Sequence, residues 1–365
     1  MNRGVIAEID LSALSRNLRS IRELSVSRQL IAVVKADAYG HGAVEVSRRL
    51  VREGVEYLGV AYTEEARELR ESGIQAPLLV FFDTYRDSSV IISLNLIPVI
   101  GSTKEAERIS KDAEKRNIRV PVHVEVDTGM GRLGLRGDVV RQISEIANLK
   151  GIRLEGVMSH FSEAESSDTA FTRRQLQEFI AVRDGLHKAG VPVRLFHMAY
   201  SAAVACLPEA GFDAVRPGLM LYGYCPSTVS LPLLPVMAVK TRIVALRRLP
   251  SGTPVSYGRT FVTSRDSLIA SIAAGYADGY SRRFSSNAEV LIRGRRAPVV
   301  GRVCMDLTMV DVTDVCGVEE SDEVVLMGSQ GSETVDAAEL ALRADTIPYE
   351  ITTSLGSRAR RIYTG

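Results

Sequence analysis

LIAVVKADAYGHGAVEVSRRLVREGVEYLGVAYTEEARELRESG, residues 30–73, sets two short apolar runs (LIAVVK, 30–35, and YLGVAY, 57–62) ahead of two longer, more polar stretches. A compact β-branched run followed by an amphipathic stretch is the pattern of a strand feeding a helix, the repeating unit of a parallel sheet. The rhythm continues through PLLVFF (77–82), IPVIG (97–101), VPVHVEV (120–126), LEGVMSH (154–160), VRLFH (193–197) and DAVRPG (213–218). TEEARELRESG (63–73) and STKEAERISKDAEKRN (102–117) each open on Ser or Thr with Glu soon after, as capped helices do. About eight such units in roughly 220 residues predict an α/β fold with an N-terminal (β/α)8 TIM-type barrel. An open doubly wound sheet is the competing architecture.

After CPSTVSLPLLP (225–235) the rhythm changes to short alternating strands with Gly and Pro turns: AVKTRIVALRRLPSGTPVSYG, LIASIAAG, APVVGRVCMDLTMVDVT and DEVVLMG. The sequence therefore predicts a barrel over residues 1–228 and a C-terminal mainly-β domain over 229–365, with residues 1–9 available to pair with the β domain. VDAAELALRA (335–344) reads as one short helix within that second domain.

The 365 residues include 45 Lys and Arg against 44 Asp and Glu, a net charge of +1, so nothing argues for nucleic acid or an anionic membrane surface as partner. A small molecule is expected instead. Cys206, Cys225, Cys304 and Cys316 are too widely spaced for a metal knuckle or a redox pair, and a chain of this size needs no disulfide staples. A cytoplasmic location follows as the expectation, since Glu8 and Asp10 also interrupt any signal-like apolar run. The uncharged stretch from Pro217 to Val239 is long enough to span a membrane, but Pro226, Pro232 and Pro235 break it.

In a parallel barrel the reactive side chains project from the carboxyl ends of strands, so polar residues that close apolar runs are the candidates. Lys35 closes LIAVV. A buried lysine there must be paired, neutralised or covalently modified, and a depressed pKa suits a Schiff-base nucleophile. Taken alone, a barrel-mouth salt bridge explains it about as well. Ser201 opens the helical pattern SAAVACL after a strand end, which serves either as a simple cap or as an anion site. His41, His123 and His187 show no ligand-like clustering, and no metal is expected.

VVKADAYGHG (33–42), VDTGMGRLG (126–134), SHF (159–161), RPGLMLYG (216–223), VSYG (255–258), GYADGY (275–280), GRVCMDLTMVDV (301–312) and TIPYE (346–350) together make a specific set. Through these motifs, nearly end to end, the chain resembles the alanine racemases, a family of fold-type III enzymes that use pyridoxal 5′-phosphate. The resemblance implies that Lys35 holds the cofactor covalently, and that Tyr39, Ser201, Tyr349 and the backbone at Gly218 and Leu219 hold its phosphate. It places Arg216 against the pyridine nitrogen, where a guanidinium, unable to release its proton, makes the ring a weaker electron sink. Arg132 would contact the cofactor's phenolate oxygen and the substrate carboxylate. Inverting a stereocentre calls for two acid–base groups on opposite faces, and the resemblance assigns Lys35 and Tyr257. Because a phenol ordinarily ionises near pH 10, the tyrosine needs help, implied here to come from His160 linked to Arg216. Met305, Tyr276 and Asp306 would complete the substrate end, with Tyr276 and Tyr349 narrowing the entry.

Three positions depart from the family pattern, the most peripheral being Ala359 in SRARRIY, where proline is frequent. Glu125 stands where a carbamylated lysine often orients the arginine, and its carboxylate could pair with Arg132 directly. Tyr200 replaces an asparagine ahead of Ser201. The resemblance further implies interconversion of L- and D-alanine, supply of D-alanine for peptidoglycan, and a head-to-tail homodimer with shared active sites. A decarboxylase or aldolase on the same cofactor fold carries different anchoring motifs. A single-barrel cofactor carrier would lack the second domain.

Overall fold

The computed structural model describes residues 4–83, 88–225 and 229–365. The chain divides into two compact units, one of Ser15–Ala38 and Ala43–Leu233, the other of Met1–Leu14, Tyr39–Gly42 and Leu234–Gly365. The boundary expected after residue 228 abuts residues 226–228, which lie outside the described residues. Strand β1 (Ile6–Asp10) belongs to the second of these units.

The next eight strands close into a parallel barrel: β2 (Gln29–Val33), β3 (Tyr57–Val60), β4 (Leu78–Val80), β5 (Ile97–Ile100), β6 (Val120–Glu125), β7 (Ile152–Met158), β8 (Leu195–Tyr200) and β9 (Ala214–Arg216). β2 pairs in parallel with β3 on one side and with β9 on the other, so closure leaves no open edge. Every strand run expected of the barrel lies on one of these eight. They were visible because barrel strands are covered on both faces and so read as continuous apolar runs. Leu30, Ile31 and Ala32 are wholly buried, and each large side chain so placed contributes about 1.5–3 kcal/mol relative to exposure. On β7 the side chain is missing at Gly156 for a reason: a Cβ there would lie 2.5 Å from the His123 ring on β6.

Helices fill the connections, including Thr63–Glu71 and Thr103–Lys115. Ser102 caps the latter as expected, accepting the Glu105 amide at 3.3 Å, while the Glu105 carboxylate takes the Gly101 amide at 2.8 Å. Thr63 is not a cap. Tyr62 occupies that position, and Glu65 reaches back to the amides of Ala61 (2.6 Å) and Tyr62 (3.3 Å).

In the second unit β1 runs antiparallel to β10 (Met237–Leu249) and parallel to the last strand, Arg360–Thr364. β10 is long enough to pair first with Glu323–Gln330, up to Arg242, and then from Ile243 with Ser267–Ile272, a pairing whose register shifts between Ile243 and Ala245. Ala337–Ala344 is the expected helix, capped by the Asp336 carboxylate. A second helix, Pro348–Arg358, follows it and was not anticipated. Its Thr352 and Thr353 weaken any helical pattern, and only Pro348 in its first turn marks the start.

Candidate active site

Lys35 follows β2 at the carboxyl end of the barrel, and its Nζ lies 5.5 Å from the centre of the Phe82 ring. Burial lowers its pKa below the usual lysine value; Arg132 pushes the same way, and the Glu65 carboxylate opposes them. Immediately after it, Ala36, Asp37, Ala38 and Tyr39 all adopt left-handed backbone with φ between 52° and 54°. For L-residues this costs roughly 1–2 kcal/mol each, so surrounding bonds must hold it. The Ala36 amide donates to Glu65 Oε1 at 2.7 Å, the Ala38 amide to the Val34 carbonyl at 2.9 Å, and the Ala43 amide to Asp37 Oδ1 at 2.7 Å. Glu65 thus braces the turn with one oxygen and the following helix start with the other. Sequence reasoning saw in it only a helix-start signal.

Arg216, ending β9, is 3% exposed. Its Nη1 donates to the His197 carbonyl (2.9 Å) and His197 Nδ1 (2.6 Å). Its Nη2 donates to the carbonyls of Ser159 (2.6 Å) and Met198 (3.0 Å) and to His160 Nδ1 (3.1 Å). No bond joins Nε–H to an acceptor among the described residues. Burial lowers the guanidinium to about 10 while the Glu125 charge draws it back up, so it stays protonated at neutral pH. His160 is held well below its usual pKa, mainly by burial and then by Arg216. It is therefore neutral. Since Nδ1 accepts from Arg216, the His160 proton sits on Nε2, where it can be donated.

Arg132 stands in the loop after β6, a loop ordered by the Asp127 carboxylate, which accepts the amides of Gly129 (2.9 Å) and Gly131 (3.0 Å) and pairs with Arg136 (2.9 Å). Glu125, the last residue of β6, is 5% exposed. Burial raises its pKa, and the charges of Arg132 and Arg216 pull it down. The expected pairing with Arg132 is not a hydrogen bond among the described residues; the two interact through charge, and Arg216 shares that carboxylate.

Ser201 is the first residue of the helix Ser201–Cys206, not its cap, which is Tyr200. Its Oγ accepts the Gly218 amide at 3.0 Å and the Met220 amide at 3.3 Å. That sets the Ser201 hydroxyl against the backbone on either side of Leu219. The hydroxyl proton of Ser201 has no acceptor among the described residues. Tyr200 stacks on His160 with ring centres 5.0 Å apart, takes the Ala164 amide at 3.1 Å on its hydroxyl, and donates to Glu165.

The remaining candidates lie in the second unit. Tyr39 and Tyr349 meet ring against ring, with centres 5.8 Å apart. Tyr257 stands on a short turn, 70% exposed. The preceding Ser256 donates to the Arg302 carbonyl at 2.6 Å. The Tyr276 and Ala277 amides donate to the carbonyls of Cys304 and Met305, both at 3.0 Å, while a Cβ at Gly275 would fall 2.3 Å from the Met305 oxygen. Arg358 spans Asp278 (3.4 Å) and Asp306 (3.6 Å). The turns carrying Tyr257, Tyr276, Met305 and Asp306 are therefore laced into one surface, on which Tyr257, Tyr276, Met305 and Leu307 are all exposed. Among the described residues no cluster of three His, Cys, Asp or Glu could hold a metal ion, and no helix is long and apolar enough to cross a membrane.

Residues 9–226 match the model of the alanine racemase N-terminal domain, and residues 236–363 that of the C-terminal domain. The chain belongs to the alanine racemase family. It is 51% identical to the alanine racemase of Thermodesulfovibrio yellowstonii, over all of this chain and 98% of that one. It is 43% identical to that of Halothermothrix orenii, over 100% and 97%. Among solved structures, alanine racemase of Clostridium difficile 630 superposes with a TM-score of 0.94 at 35% identity, covering 99% of this chain and 96% of that one. The Bartonella henselae enzyme, a structure with covalently bound pyridoxal phosphate, gives 0.90 at 31% identity, covering 99% of each. Membership makes the chain an isomerase that racemises alanine.

The barrel-mouth groups fit the cofactor of that relative. Lys35 offers an amine of lowered pKa, Ser201 a hydroxyl proton with no acceptor, and Arg216 an Nε–H left over after its other nitrogens are engaged. His197, at a strand end behind Arg216, and His123, for which the sequence offered no role, belong to the same network: His123 Nδ1 lies 2.7 Å from His197 Nε2.

Proposed function

We propose that the protein interconverts L- and D-alanine with pyridoxal 5′-phosphate held on Lys35, using Lys35 and Tyr257 as acid–base groups on opposite faces of the α-carbon. Bound there, the cofactor delocalises the electron pair left behind when the α-proton is removed. The observation that carries the reading is Arg216: a buried guanidinium held by five acceptors, with one N–H still to give. A cation that keeps its proton at neutral pH would hold the pyridine nitrogen by donation without protonating it, which would restrain side reactions.

Ser201, Tyr39, Tyr349 and the backbone at Gly218 and Leu219 hold the phosphate, while Arg132 and the Met305 amide hold the substrate carboxylate. Lys35 Nζ carries the proton on one face. On the other, Tyr257 does so, and the His160 Nε2–H supplies the donor that a phenolate needs. Tyr276 and Tyr349 narrow the entry, and Asp306, tied to Arg358, braces the loop that presents Met305. An exposed aromatic and apolar surface around Tyr257 calls for a cover, and a second copy of the chain, arranged as a head-to-tail homodimer, supplies it. The product, D-alanine, serves peptidoglycan synthesis in the cytoplasm.

Borohydride reduction of the loaded enzyme is expected to fix a pyridoxyl group on Lys35. Trypsin would then skip that lysine and release a labelled peptide spanning residues 29–48. A label on any other lysine would remove Lys35 from this role.

A further inference from the structure

Buried between β6 and β8 are His123 and His197, both wholly inaccessible to solvent. Their protonation pattern is dictated by the arginine at one end. A guanidinium has only donors, so His197 Nδ1, 2.6 Å from Arg216 Nη1, must be the bare nitrogen. The His197 proton then sits on Nε2 and is donated to His123 Nδ1 at 2.7 Å. The proton of His123 is thereby pushed onto its own Nε2, which has no hydrogen-bond partner among the described residues. Each proton along the line points away from Arg216, and the line ends in a buried, unpaired N–H.

Such an orphan costs on the order of 1–3 kcal/mol, a cost that an apolar residue at 123 would avoid. Gly156 adds to the commitment, since any side chain there would collide with the His123 ring. On the basis of the proposed function, we infer that His123 is a positioning residue: by accepting from His197 Nε2 it locks the His197 tautomer that receives Arg216 Nη1, and so fixes where Arg216 aims its remaining N–H. Without that acceptor, His197 gains nothing from keeping its proton on Nε2. The opposite tautomer sets an N–H against the guanidinium and swings Arg216 off its line.

The test compares His123→Asn, whose Oδ1 can stand where Nδ1 stands and accept the same proton, with His123→Leu, which fills the space without an acceptor. Side-chain nitrogen NMR of the loaded, full-length enzyme, labelled at histidine and assigned by single substitutions, is expected to find His197 bare at Nδ1 in the unmodified protein and in H123N, and mixed between tautomers in H123L. Activity should follow: kcat about tenfold lower in H123L with KM within about twofold, and most of kcat retained in H123N. Equal impairment of the two variants, or unchanged kinetics and tautomer in both, would overturn the inference. Should H123L fail to fold, a His197 protonated at Nδ1 in the unmodified enzyme overturns it alone. Loss of the label from Lys35 would count instead against the cofactor reading on which it rests.

Discussion

Mixing Lys35→Ala protein with Tyr257→Phe protein, under conditions where subunits exchange, is expected to restore about a quarter of normal activity from two parents that have almost none. The expectation rests on Tyr257 serving the barrel of a second copy. Under random exchange half the dimers are mixed, and in each of these one site carries both lesions while the other joins an intact Lys35 to an intact Tyr257. The surface carrying Tyr257, 70% exposed beside Met305 at 54%, is unusual for a face turned permanently to water. Were both residues to meet within one chain, every site would keep a lesion, and mixing would recover nothing even where exchange is demonstrated.

Acid should weaken the fold steeply. His123 is lowered to about 3 and His197 well below its ordinary value, chiefly by burial, with Arg216 next in each case; Arg194 adds to the effect on His123, and His123 to that on His197. In the unfolded chain both return to about 6.5. A base whose folded pKa is depressed contributes stability that is fully present above the unfolded value and is lost as the pH falls below it. Between pH 7 and pH 5 His123 alone removes about 2 kcal/mol, and His197 adds a loss in the same direction. Glu125, raised by burial, acts in the opposite direction because the folded state binds its proton more readily. Urea unfolding at both pH values and one protomer concentration measures the loss. The same comparison on His123→Asn should show a loss smaller by about 2 kcal/mol. Identical loss in the variant would mean that His123 is not buried neutral.

The barrel was legible because its strands obey a simple rule: buried on both faces, they are apolar throughout, and the eight runs stand out between polar helices. The motif residues at the barrel mouth were legible only through their likeness to a family, since a strand-end lysine or arginine by itself reads equally well as a salt bridge. Other features left little trace. The left-handed turn from Ala36 to Tyr39 contains no glycine or asparagine to announce it, and depends instead on Glu65, 29 positions from the amide it holds. In VPVHVE, His123 looks like one polar interruption of a core strand; its role emerges only when β8 brings His197 within 2.7 Å. Glu125 could have bonded Arg132 directly, yet no hydrogen bond joins the two among the described residues, and its charge draws Arg216 upward instead.

The central claim is that the α-proton of alanine is removed on one face and replaced on the other by a different group. Incubating the loaded enzyme with L-alanine in deuterated water tests it most directly, following both enantiomers and the α-hydrogen with time. The account predicts that D-alanine appears carrying solvent deuterium at the α-carbon from its first formation, and that the two enantiomers converge on equal amounts. D-alanine that kept the original α-hydrogen, or exchange at the α-carbon of L-alanine with no D-alanine formed, would contradict it.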